Sequence, residues 1–246
     1  MSGTPAISKR GRSAAAGRED VIAAAMRRYL RGRRVDVQAI AAELKIGRAT
    51  VYRWFGSRET LLGEVLVRAA DPLLDAARAE ARGRGGRALL DTFDRFNRSL
   101  IAAPALRQYV EQEREGALRV ITSGAGVVEP HLVGRIAALI DEEIARGAYE
   151  PPVETATLAY AIVRLAEAFL FCDVATGIRG DVEKLRAVEA ALLGVSSRPP
   201  RRRPGSGAGA PHSSGTRSPS RSRSSGDRRA SKSPGPSGPA RRARGT

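Results

Sequence analysis

The chain has 246 residues and a formal net charge of +16, but that charge sits at the ends: residues 1–18 carry four basic groups and no acid, residues 196–246 carry thirteen against Asp227 alone, and residues 19–195 balance 25 against 25. A single cysteine, Cys172, excludes an intramolecular disulfide and fits a reducing cytosol. No uncharged run nears the ~18 residues that span a bilayer, and the basic N-terminus lacks the apolar stretch of a secretory signal, so a cytoplasmic protein with no membrane partner is expected.

Residues 1–17 read as a disordered basic arm. Val21, Ile22, Ala25, Met26 and Tyr29 then form one apolar stripe, with Glu19 and Asp20 placed to favour a helix N-terminus. Asp36 is the expected cap of a second helix, whose apolar face is Ile40, Ala41 and Leu44. Lys45-Ile46-Gly47 breaks the period, and Val51 and Phe55 resume it in a short third helix. Ser57 caps a fourth, with Leu61, Leu62, Val65 and Leu66 on one face, running into Pro72, where a bend is expected.

The glycine-rich run Arg82–Arg87 separates these helices from the rest of the chain. Leu89, Leu90, Phe93, Phe96 and Leu100 make the next stripe, ending before Pro104. Leu106, Tyr109, Val110, Leu118 and Ile121 read as one further helix, and Leu132, Ile136, Leu139, Ile140 and Ile144 as another that stops at Gly147. The segment 154–176 is apolar nearly all round, so it is expected to be buried on both sides, with a second subunit supplying one of them. Val182, Leu185, Val188, Leu192 and Leu193 give a last amphipathic helix beside it. Leu158, Ile162, Leu165, Phe169, Cys172, Leu185, Val188 and Leu192 are therefore the expected dimer interface. No stretch alternates with period two, so the fold class is all-α. Residues 196–246 contain no aliphatic side chain larger than alanine apart from proline, and no aromatic one except histidine. They are expected to be a disordered tail, either simply solvated or binding polyanions without reading sequence.

Asp36–Arg58 carries the chemistry. A short helix with a buried back and a basic, hydroxyl-bearing front suits the major groove of duplex DNA. Arg48 and Arg53 can donate paired hydrogen bonds to guanine or bind phosphate, Tyr52 can hold a phosphate, Trp54 divides between packing and donating its indole N–H, and Gln38 opens a helix N-terminus where phosphates bind. The three N-terminal helices, with Ile40-Ala41 leading to Thr50-Val51-Tyr52-Arg53-Trp54-Phe55 and a basic residue opening the fourth helix, resemble the TetR (tetracycline-repressor) family over residues 18–66. Residues 104–193 are similar to its quorum-signal-degradation (QsdR-like) regulators. The resemblance implies a bacterial homodimeric regulator on a palindromic DNA operator, usually a repressor released by a small-molecule effector. It implies a DNA-binding unit at 18–66, a ligand-binding and dimerisation unit at 67–195, and a nucleoid-associated location. It also implies phosphate contacts from Tyr52 and Arg58, with Arg48, Ala49 and Arg53 facing the groove. The chain departs from the family pattern at Lys45, where glycine is frequent, at Gly47, where Ser or Thr usually caps, and at Trp54, where a smaller polar ring is common.

In the helical remainder, Phe93, Phe96, Tyr109 and Tyr160 are either core or ligand pocket. Arg164 and Glu167, three residues apart, can pair with each other, pair across an interface, or anchor a ligand. His131 has no sequence-near ligands, so neither metal nor cofactor is expected. Two rival readings remain. A nonspecific architectural DNA-binding protein would rest on the basic tail. A helical enzyme lacks a catalytic constellation, because the glycines at 83–86 follow no strand and lack a Gly-Lys-Ser/Thr ending.

Overall fold

The computed structural model describes residues 16–171 and 181–195. The expectations for the basic arm at 1–15, for Cys172 and the helical continuation to 176, and for the tail at 196–246 lie outside the described residues. Among the described residues the secondary structure is all α: α1 (Arg18–Leu30), α2 (Val37–Glu43), α3 (Arg48–Phe55), α4 (Arg58–Glu80), α5 (Gly86–Ala102), α6 (Pro104–Gln112), α7 (Arg114–Ile121), α8 (Val128–Ala145), α9 (Thr155–Phe171) and α10 (Val182–Leu192).

Local chemistry sets the first boundaries. The Asp36 carboxylate accepts from the N–H groups of Gln38 (2.7 Å) and Ala39 (3.3 Å), satisfying two orphan donors of α2. Ser57 Oγ accepts from the Thr60 N–H at 3.0 Å and starts α4. Between α2 and α3 the N–H of Ile46 reaches the Ala41 carbonyl and that of Lys45 reaches Ala42. This is the six-to-one and five-to-two pairing of a Schellman close, which needs its next-to-last residue in the left-handed region. That residue is Lys45, at φ 56°, and among the described residues no other non-glycine has positive φ.

Two hydrophobic cores result. The first gathers buried side chains of α1, α2, α3 and the first half of α4, and adds Leu106, Tyr109, Val110, Ala117, Val120, Ile121 and Val128. The second joins Leu74 and Ala77 of α4 to α5, the rest of α8, α9 and α10. Helix α4 runs through Pro72 and serves both, so the division expected at residue 66 falls inside a continuous helix. The stretch read as one helix from Leu106 to Ile121 is two. Glu113 breaks it at φ −131°, ψ 44°, where its carboxylate turns to accept from Arg58 at 2.6 Å.

A buried carboxylate ties the second core together. Glu143 accepts from the Gly85 N–H (2.7 Å), Arg78 Nη2 (2.6 Å) and Arg146 Nη1 (2.7 Å). Burial pushes its carboxyl up, but these donors outweigh it and hold it below the usual range. Gly85 must be glycine, since at φ 58° a Cβ would meet the Ala148 carbonyl oxygen at 2.0 Å.

The left-handed lysine gives a direct expectation. Lys45→Gly should raise unfolding stability by about 1 kcal/mol in urea denaturation. No gain, or a loss, would show that the Lys45 side chain stabilises the turn through contacts that offset its backbone strain.

Candidate DNA-binding surface and core cavities

Helix α3 buries Val51 and Phe55 and turns its other face outward. Arg48, Ala49, Tyr52 and Arg53 are exposed, Thr50 is half-buried, and Trp54 is half-buried against the first core. Arg48 and Arg53 have no carboxylate partner among the described residues, whereas most nearby arginines do. Arg27 and Arg28 both reach Glu43, and Arg18 reaches Glu64 at 2.7 Å. Unpaired guanidiniums on a helix face keep their hydrogen-bond donors available for an anionic partner.

Arg48 and Tyr52 open onto a polar cleft of about 190 Å³ that also takes in Gln38, Arg34, Asp36 and Arg58. Gln38 is exposed in the first turn of α2. The structure thus gathers Gln38, Arg48, Tyr52 and Arg58 at one place. It adds Arg34, which the sequence reading passed over although the basic run Arg31-Gly32-Arg33-Arg34 beside the motif pointed to it. Arg58 itself is engaged: its Nε donates to the Val35 carbonyl at 2.7 Å and its Nη2 to Glu113 at 2.6 Å. It clamps the loop before α2 and the end of α6 to the start of α4.

Two adjoining, partly open cavities lie among the helices. One, of about 210 Å³, is walled by apolar side chains from α1 (Tyr29), α4 (Leu66, Leu73), α5 (Leu100) and α6 (Leu106). The second, about 40 Å³, shares Leu100, Ile121, Leu132 and Phe171 with it and adds Phe93, Phe96, Asn97, Glu167 and Glu189. Of the expected pocket residues, Phe93, Phe96 and Glu167 meet here. Tyr109 lies instead edge-on to Tyr29, with ring centroids 6.4 Å apart, and Tyr160 is 51% exposed on the outside of α9. Arg164 stands over the buried pair of acids beneath it, donating to Glu167 (2.8 Å) and Glu129 (3.1 Å). Asn97 and Glu189 were missed. Each is a polar residue inside an apolar stripe, Asn97 between Phe93 and Leu100, and Glu189 between Leu185 and Leu193.

The interface expectation needs correction at three positions. Leu158, Ile162 and Leu185 are buried within the single chain, packed by its own helices, and have no surface left for a partner. The helix period placed them on an apolar face, but that face is the one turned inward. Leu165, Phe169 and Leu192 are half-buried and Val188 is exposed. His131 bonds Asp71 Oδ1 through Nε2 at 2.9 Å. Among the described residues no helix is long and apolar enough to cross a membrane.

A capped two-helix unit with an exposed basic face, set on an all-helical body that carries apolar cavities, is the architecture of a DNA-binding transcriptional regulator. Residues 22–65 match the family described as bacterial regulatory proteins, tetR family, and residues 84–194 match the tetracyclin repressor-like C-terminal domain. The transcriptional repressor QsdR of R. erythropolis, from the TetR family, has a similar structure, with a TM-score of 0.69 and 28% identity over 73% of this chain and 95% of its own. No curated protein matches the chain. The chain belongs to the TetR family of regulators, with a QsdR-like fold.

The clamp and the buried acid each give an expectation. Arg58→Ala should lower unfolding stability by about 2 kcal/mol, because it leaves the Val35 carbonyl without its guanidinium donor and Glu113 with only the longer Arg34 pair at 3.6 Å. Arg53→Ala should stay within about 0.5 kcal/mol of the parent. Equal effects in urea titrations would mean that Arg58 is not a clamp. Burial and the nearby Asp94 carboxylate, opposed by Asn97 and Arg186, push the Glu189 carboxyl up to about 8. A carboxyl raised on folding stabilises the native state below its unfolded value and loses that contribution as pH climbs through the folded one. Stability relative to Glu189→Gln should therefore fall from pH ~5 to pH ~8. A pH-independent difference would place the carboxylate in contact with water.

Proposed function

We propose that the protein is a homodimeric repressor that leaves a palindromic operator when a small molecule enters its helical body. The free guanidiniums of Arg48 and Arg53 on the exposed face of α3 carry this reading. In it, residues 18–66 form the DNA-reading unit and 67–195 the sensor and dimerisation unit. Two copies of α3 lie in successive major grooves, about 34 Å apart. Arg48, Ala49, Thr50 and Arg53 face base edges, while Tyr52, Gln38, Trp54 and the cleft beside Arg58 hold phosphates. The chain works in the bacterial cytoplasm, on the nucleoid. The dimer forms through the outer faces of α9 and α10, where Tyr160 and Val188 are exposed and Leu165, Phe169 and Leu192 partly so. The apolar cavity supports effector control, because Tyr29 and Leu66 in its wall belong to α1 and α4, the helices that carry α2 and α3. A molecule that fits only one arrangement of those helices shifts the population towards it.

Electrophoretic retardation of the DNA upstream of the protein's own gene tests this reading. The full chain should shift that fragment at moderate salt and leave unrelated DNA unshifted. Arg53→Ala should cost about 1–3 kcal/mol and relax selectivity, whereas Tyr52→Phe should weaken all sequences alike. A chain shortened to end at Val195 should keep its selectivity and lose background binding. If all binding leaves with the tail, the protein is instead a nonspecific DNA binder. Val188→Glu combined with Tyr160→Glu should convert a dimer into a monomer in analytical ultracentrifugation. An unaltered dimer would place the interface elsewhere.

A further inference from the structure

The apolar cavity follows from where the chain places alanine. Leu66, Ala69, Ala70 and Leu73 share one face of α4 at the i, i+3, i+4 and i+7 positions, so two methyl groups stand between two leucines. The junction of α5 and α6, Ala103-Pro104-Ala105, lines the same space and is equally small. The missing side-chain volume is the cavity of about 210 Å³. Among the described residues its wall contains no charged side chain, and Tyr29 alone brings a polar side-chain atom. Other clefts differ: Arg34, Arg48 and Arg58 line the one beside α3, and Arg84, Arg87 and Glu150 the one beside the start of α5. Leu30 lines the apolar cavity while 63% exposed, and Pro104 lines it while exposed, so these two side chains mark where it opens.

We propose that this cavity binds an uncharged ligand with a hydrocarbon body of about eight carbons, which enters between Leu30 and Pro104. The size follows by proportion, since a cavity of ~150 Å³ lined by leucine, isoleucine and phenylalanine holds benzene. The proposal deepens the effector reading and rests on it for its regulatory consequence, though not for the binding itself. Charge is what the wall rejects. An ion moved into apolar surroundings loses its hydration and finds no partner there. The acids of the adjoining smaller cavity do not change this, because the unmatched oxygens of Glu167 and Glu189 are buried and present no surface to it. Glu167 also already holds Arg164 at 2.8 Å. A hydrocarbon needs no such partner. It removes its own apolar surface from water and restores the dispersion contacts missing beside Ala69 and Ala70.

The described wall also lacks a group that titrates near neutrality. Burial pushes the Tyr29 hydroxyl up to about 12, so it stays protonated and neutral. Affinity for a neutral ligand should therefore be flat from pH ~6 to pH ~8. Burial and the Glu129 carboxylate on α8, opposed by Arg164, push Glu167 up to about 7. Burial and Asp94 on α5, opposed by Asn97 and Arg186, push Glu189 up to about 8. A ligand seated against either acid would show a slope in that range.

The probe is n-octanol, with octanoate and n-octylammonium as chain-matched ions, titrated calorimetrically into the full-length protein. Octanol should bind about tenfold tighter than either ion, with equal affinity at pH ~6 and pH ~8. Ala70→Leu, which fills the gap between Leu66 and Leu73, should weaken octanol about tenfold. Ala23→Leu, on the exposed face of α1 and away from the wall, should leave octanol binding unchanged. Urea unfolding of both variants separates lost binding from lost folding. An ion that binds the parent as tightly as octanol, or an octanol affinity that slopes with pH, overturns the proposal whatever the variants do. The same samples are run against the upstream DNA, with and without octanol. DNA retardation without octanol preference rejects this ligand class and leaves the regulator standing. Octanol preference without DNA retardation supports the site and rejects the regulator.

Discussion

Everything in this fold hangs on a single continuous helix. Leu61, Leu62, Val65 and Leu66 of α4 belong to the core that holds α3 in place, while Leu74 and Ala77 of the same helix belong to the core that holds α5, α8 and α9. The helix of 23 residues spans about 34 Å, runs through Pro72 and contributes side chains to both cores. Arg58 at its first turn adds the polar part of the same constraint. One planar guanidinium binds the loop before α2 and the break before α7 at once. A shift of α6 relative to α4 must therefore either break that hydrogen bond or drag the α2 loop with it. Lysine, with a single ammonium and no fork, would hold either partner less rigidly.

The buried carboxylates divide into two kinds by the donors around them. Glu143 joins the ends of α4 and α8 to the start of α5, and its oxygens receive an amide and two guanidiniums. That arrangement repays its desolvation, and its carboxyl lies below the usual range. Glu167 and Glu189 are buried to the same degree with fewer donors, and their carboxyls lie well above it. Burial alone is common to all three. Deeper desolvation and the neighbouring carboxylates Glu129 and Asp94 raise Glu167 and Glu189, whereas the three donors at Glu143 outweigh its burial.

Much of this was legible in the sequence because short-range rules decide it. The caps Asp36 and Ser57 and the all-helical class follow from residue type and period, whereas the turn at Lys45 was marked only by the family pattern, which often has glycine there. Glu113 was not legible as a helix break. Nothing local forbids helix there, and the break coincides with a bond to Arg58, 55 residues away. The interface expectation met the same limit. The periodicity of α9 identifies an apolar face, but whether that face meets its own chain or another depends on where α5 and α8 lie, and both cover Leu158 and Ile162. Sequence period gives the direction of a side chain within a helix and is silent on what stands opposite.

The two cavities differ in chemistry and in the helices that line them. The carboxylate pair lies among α5, α9 and α10, none of which carries the recognition helix. A molecule held only there makes no contact that distinguishes one setting of α1 and α4 from another, so it shifts nothing. The apolar cavity is the reverse: Tyr29, Leu66 and Leu106 line it from α1, α4 and α6, yet it offers little to fix orientation. Leu100, Ile121, Leu132 and Phe171 form the shared wall.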